Sequence, residues 1–209
     1  MSKKPKLVVV KDENKPRAAS QSDGRRQRSQ RSRDKILKAC WELMLNGDMK
    51  PSAAAIAKHA GVGLRSVFRH FEDLDTLLRE LMALIYDEVT PEFMTPLKAN
   101  HWKDQLLELM ERNVMIWERI RVPHTAGEIG RFKSQVLMDD YQRSRNLEIS
   151  GIKAILPKDL DNYENVLLAL DASMSFSTMR RLREDRKLSI SKVKMVMTFM
   201  VQSVLDGIE

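Results

Sequence analysis

The twenty residues Ser52–Phe71, SAAAIAKHAGVGLRSVFRHF, constrain this chain more than any other stretch, because they spell two short helices joined by a glycine-bounded turn. In the first half, Ala53, Ile56, Ala57 and Ala60 recur at spacings of three and four, which predicts an amphipathic helix whose small side chains allow close packing against a second helix. Gly61 ends that helix where a positive φ is cheap, Val62 plugs the turn, and Gly63 opens the next segment, Leu64–Phe71. Val67, Phe68 and Phe71 are expected to point inward. Leu64, Arg65, Ser66, Arg69 and His70 are left for the outside.

That outward set carries the chemistry that meets nucleic-acid base edges and phosphates. The longer run IAKHAGVGLRSVFRHFEDLDTLL resembles the helix-turn-helix signature of TetR-type transcriptional regulators, through its Ile-Ala pair, Ala-Gly-Val turn, aromatic position and His-Phe ending. The resemblance implies an all-α chain. A three-helix N-terminal helix-turn-helix DNA-binding domain (31–86) would follow a basic tail (1–30) and precede a larger helical effector-binding and dimerisation domain (87–209).

Within such a head, Arg65 and Ser66 lie near the start of the second reading helix, where arginine can pair with guanine. Lys58, Arg69 and His70 suit phosphates, and Ser52 suits either a phosphate or its own helix N-terminus. Leu64, Gly63 and Phe68 complete the expected DNA-facing set. Three positions depart from the family's habit. Phe68 stands where tyrosine is usual, Gly63 where Ser or Thr is frequent, and Leu74 where a backbone-gripping lysine is common. Each departure removes a polar or charged contact.

Charge offers a compensation. Residues 1–33 hold eleven Lys or Arg against three acids, whereas the whole chain is +7, so all of the net positive charge lies in this segment. Apart from Leu7–Val10 it has almost no large apolar residues and is expected to be disordered when free. The segment reads either as a solvated extension or as a basic arm that follows the DNA backbone or enters a neighbouring minor groove, and Arg25, Arg26, Arg28, Arg31 and Arg33, which directly precede the reading head, suit the arm.

Beyond the head the pattern is helical throughout. A helix is expected over Asp34–Leu45 with Ser32 as cap, and another after Asp73. A long helix from Trp102 should be bounded by breaks at Pro91, Pro96 and Pro123. Further helices are expected over about Phe132–Ser150, Leu160–Arg183 and Ser189–Leu205. The last two carry Leu167, Leu170 and Met174, and Val193, Met197, Met200 and Val204, at bundle spacing. The resemblance makes them a homodimer interface, which would match a two-fold operator in double-stranded DNA. It also implies a small-molecule effector site, for which Trp102, Met110, Met115, Trp117, Phe132, Tyr141 and Met179 could supply an apolar, adjustable lining, core packing being the safer reading of each residue taken alone.

Catalytic and metal chemistry find little support, and no cofactor is expected. His59, His70, His101 and His124 form no metal spacing with Cys40, and the chain lacks a phosphate loop, a nucleophile elbow and an HExxH motif. Cys40, the single cysteine, reads as a buried structural thiol. No apolar run approaches the length of a membrane span or a signal core, so no membrane partner is expected and the default compartment is the cytoplasm. An architectural DNA-binding protein using the same head without a ligand switch is the alternative reading.

Overall fold

The computed structural model describes residues 21–208, and what the sequence predicts for segment 1–20, including Leu7–Val10, lies outside them. The described residues form helices and no strand, in two compact units. The first unit runs to Glu88 and takes in Thr125–Met138; the second comprises Val89–His124 and the chain from Asp139.

The first unit opens with α1 (Gln21–Leu45), followed by α2 (Ala53–Ala60), α3 (Leu64–His70) and the greater part of α4 (Leu74–Phe93). Helix α1 begins well before the expected Asp34, so Ser32 is an interior helical residue and not a cap. The physical reason is local. Residues 25–31 are mostly arginine and glutamine, straight-chain types that lose little rotamer freedom in a helix. Arg28 Nε donates to the Gly24 carbonyl (3.1 Å) and Gln30 Nε2 to Asp34 Oδ1 (2.9 Å), both four residues apart. The second half of α1 buries Ile36, Leu37, Cys40, Trp41 and Met44. Burial pushes the Cys40 thiol up to about 12, with Asp48 adding to the shift, so it stays a neutral thiol. Ile56 and Ala57 of α2, Val67 and Phe71 of the α3 segment, and Leu77 and Leu81 of α4 are also buried.

In the second unit, prolines do not break the helices as expected. Helix α4 passes through Pro91 to Phe93, and α5 (Trp102–Gly130) passes through Pro123. A helical proline forfeits one backbone hydrogen bond and crowds the preceding turn. In α5 the flanking turns offset this by burying Ile116, Trp117, Ile120, Thr125 and Ala126. Helix α6 (Gln135–Ile155) starts three residues after the expected Phe132 and continues past Gly151. Where one helix was expected over Leu160–Arg183 there are α7 (Tyr163–Ser173) and α8 (Phe176–Arg180), separated at Met174–Ser175, with a π-helical turn at Arg181–Asp185. Ser175 Oγ accepts from the Thr178 amide and caps α8 (3.1 Å). The last helix, α9 (Ile190–Asp206), is capped by Ser189, whose Oγ accepts from the Lys192 amide (3.3 Å).

The π-helical turn is held to α5 by ion pairs. Arg183 grips Glu118 through Nε (3.0 Å) and Nη2 (2.6 Å), and Arg121 Nη1 reaches Glu184 (2.7 Å). Between α7 and α9 the interior is apolar, with Leu167, Leu170, Met174, Val193, Met197, Val201 and Leu205 all buried.

Candidate nucleic-acid interface

Ser52 and Gly61 set the ends of α2. Ser52 is extended and its Oγ accepts from the Ala55 amide (3.1 Å), so in this structure it caps its own helix. Gly61 has φ of 66°, the left-handed region, and its amide bonds back to the carbonyls of Ala57 and Lys58. Gly63 is extended at the entrance to α3 and contributes no side-chain cap. These three residues define the turn between the two helices.

Helix α3 is anchored by Val67 and Phe71, each 1% exposed. Phe68 does not join them: half of its surface is exposed, as is that of Leu64 one turn earlier. The reason is angular. Residues four apart share a helix face, so Val67 and Phe71 form the inner pair while Phe68 follows Leu64 outward. Leu64, Arg65, Phe68 and Arg69 are exposed neighbours on one outer arc, with Ser66 half-buried at its edge. Lys58 on α2 is exposed as well.

His70 is only partly accessible, and its Nε2 is buried without a hydrogen-bond partner. Its pKa is lowered, first by desolvation and then by the charges of Arg69 and Arg33, which favours the neutral ring. A neutral, inward-facing imidazole is a weaker phosphate ligand than the sequence suggested. His59 of α2 lies with Nε2 2.9 Å from Glu42 Oε2, tying α2 to α1.

The helix after the turn is begun by Asp73, whose Oδ1 accepts from the Thr76 amide (2.7 Å). Those backbone and side-chain hydrogen bonds from Thr76 hold its carboxyl below the usual range. Leu74 is half-buried at the first position of α4.

The expected arm divides in two. Arg25, Arg26, Arg28 and Arg31 are exposed along the first turns of α1. Arg33 turns inward: its guanidinium lies 4.4 Å above the Phe71 ring and bonds to Glu80 and to the His70 carbonyl. Sequence reasoning missed this role, since Arg33 and Glu80 are 47 residues apart and no local pattern links them.

The residues expected to line an effector site are only partly brought together. Met110, Trp117 and Met179 are buried in the second unit, where Trp117 meets Phe176 edge-on (6.0 Å between centroids), and Trp102 and Tyr141 are half-buried. Met115 is 47% exposed, whereas its neighbours Val114, Ile116 and Trp117 are buried. Phe132 belongs to the first unit and is 75% exposed, beneath the guanidinium of Arg131. Neither is part of the second unit's interior.

The apolar residues expected to form a dimer face, Leu167, Leu170, Met174, Val193 and Met197, are interior to the chain, and Met200 and Val204 are half-buried. The exposed apolar residues on these helices are Leu168 of α7 and Met195 and Phe199 of α9, at 56%, 61% and 72%. Burial of one stripe against the neighbouring helix leaves the adjacent stripe outward.

No family model and no curated protein sequence matches the chain. Solved structures do. A transcriptional regulator from a Rhodococcus species superposes with a TM-score of 0.65 at 14% identity, covering 86% of this chain and 97% of that one. A TetR-like transcriptional regulator, also from Rhodococcus, gives 0.63 at 15% identity, over 93% and 100% of the two chains. A TetR-family transcriptional regulator from Haemophilus influenzae gives 0.53 at 16% identity, over 84% and 97%. The chain therefore has the fold of the TetR-type transcriptional regulators.

Proposed function

We propose that this protein is a sequence-specific DNA-binding transcriptional regulator, a homodimeric repressor released from a palindromic operator by a small apolar ligand. One observation carries the DNA-binding reading. Helix α3 buries Val67 and Phe71 and offers Leu64, Arg65, Phe68 and Arg69 together on its outer face, behind a turn fixed by Gly61. A short helix seated on its inner residues, with cations outward, suits the major groove. In this reading Arg65 and Ser66 contact base edges, Lys58 and Arg69 contact phosphates, and Gly63 allows close approach of the backbone.

A two-fold assembly through α7 and α9 supplies the second head. Leu168, Met195 and Phe199 are the apolar groups left exposed there, and a second copy would cover them. The effector would enter the second unit near Met110, Trp117 and Met179 and shift the population between two arrangements of the dimer by differential affinity. With DNA as its partner the protein would work in the cytoplasm; none of the described helices is long and apolar enough to cross a membrane.

Selection of duplexes from a random pool by the purified protein, followed by footprinting, tests the reading. The expected result is one enriched inverted repeat, with half-sites about one helical turn apart. Arg65→Ala should relax the preference at one base pair of each half-site, whereas Arg69→Ala should weaken all sequences alike. Equal retention of every duplex would overturn sequence-specific regulation in favour of an architectural role.

A further inference from the structure

All three guanidinium nitrogens of Arg33 are engaged within the first unit. Nε donates to Glu80 Oε2 of α4 (2.9 Å), Nη2 donates to Glu80 Oε1, and Nη1 donates to the carbonyl of His70, the last residue of α3 (2.5 Å). Its Cζ lies over the Phe71 ring, 4.4 Å from the centroid. One side chain of α1 thus joins the end of α3 to α4. Arginine suits this position because its fork can grip a carboxylate with two nitrogens while the third reaches a carbonyl and the flat face stacks on an aromatic ring. Lysine can do only one of these at a time.

The cation also sits at the negative end of the α3 backbone dipole, the favourable end for positive charge. Helix α3 has seven residues, so its own backbone bonds hold it weakly and its direction depends on what fixes its two ends. Gly63 gives the start no side-chain cap. The end is held by Arg33.

We propose that Arg33 is a positioning residue for DNA reading: by clamping the His70 carbonyl and Phe71 to Glu80, it sets the tilt at which the outer face of α3 meets the base edges. This rests on the DNA-binding reading above. It removes Arg33 from the set of phosphate contacts to which its place in the basic segment would assign it. Positioning of this kind acts on discrimination between sequences more than on general attraction to DNA.

The test uses the full chain and the duplex that it enriches from a random pool, with a scrambled duplex as control. Arg33→Lys keeps the charge and loses the clamp. It should weaken binding to the enriched duplex about tenfold, leave scrambled binding unchanged and leave the salt dependence of both unaltered. Glu80→Gln removes a negative charge, so simple electrostatics predicts tighter binding; the clamp predicts weaker binding to the enriched duplex alone. If Arg33→Lys fails to fold, Glu80→Gln carries the test.

Unchanged discrimination in the folded Glu80→Gln protein overturns the proposal, and so does a lowered melting temperature with the ratio of enriched to scrambled binding intact. An Arg33→Gln protein that loses about one unit of salt slope identifies a phosphate contact instead and also overturns it. If the unaltered protein enriches no sequence, the DNA-reading function itself fails; enrichment with indifferent variants removes only the clamp.

Discussion

The imidazole of His124 meets the ring of Phe176 edge-on, with centroids 4.1 Å apart and planes at 77°. Burial lowers the His124 pKa to about 4, and the nearby Arg145 charge pushes it the same way. The unfolded chain binds a proton there near pH 6.5 and the folded chain does not, so this contribution to stability is complete above pH 6.5 and is lost as pH falls toward 4. Urea unfolding across that window should show a decline on the order of 2 kcal/mol that His124→Phe reduces. An identical pH profile for the variant would show that His124 is not the group responsible.

No atom beyond its chain neighbours lies within 4 Å of where a Cβ of Gly61 would sit, so the first cost of a side chain there is conformational. With φ at 66°, Gly61→Val should destabilise the protein by about 1–2 kcal/mol, and Gly61→Asn by clearly less. Thermal melts of the two variants distinguish this from a packing effect, which would track side-chain volume.

Ser52 caps α2 in the structure, and the DNA reading also brings it near phosphate. Ser52→Ala should cost about 1 kcal/mol of stability. Ser52→Asp can still accept from the Ala55 amide and should keep that stability, yet it should bind DNA more weakly by repelling phosphate. Equal DNA affinity in the aspartate variant would confine Ser52 to capping.

Charge placed on the exposed stripe of α7 and α9 should separate the proposed dimer. Leu168 and Phe199 are both exposed, so with Leu168→Glu and Phe199→Glu each monomer should stay helical while sedimentation shifts from dimer to monomer. Loss of cooperative DNA binding should accompany it. A double variant that sediments as a dimer would place the interface elsewhere.

Arg25, Arg28 and Arg31 recur every three residues and are all exposed, so they form a stripe along one side of α1. Replacing all three with glutamine should lower the salt slope of DNA binding by about two to three units, with equal effect on every sequence. An unchanged slope would mean that the stripe stays clear of the duplex.

What was legible in the sequence was written within a few residues. Gly61 at a left-handed turn, Ser52 and Asp73 at helix starts, and Val67 with Phe71 inside all follow from local spacing and capping chemistry. Pro91 and Pro123 misled because a proline's local cost is set against the burial of whole flanking turns, which a single residue does not reveal. Leu167 and Leu168 are adjacent and equally apolar; only packing decides that the first is interior and the second exposed. The clamp of Arg33 on Glu80 joins distant segments and has no signature in either.

The helical state of residues 24–33 makes the spacing of their arginines a matter of inheritance as well as chemistry. A flexible arm would accept an added or deleted residue with little consequence. In a helix continuous with the buried stretch from Ile36 to Met44, one inserted residue swings every preceding arginine by about 100° around the axis. Substitutions in this segment are graded losses, but a single-codon insertion turns the stripe to another face at once.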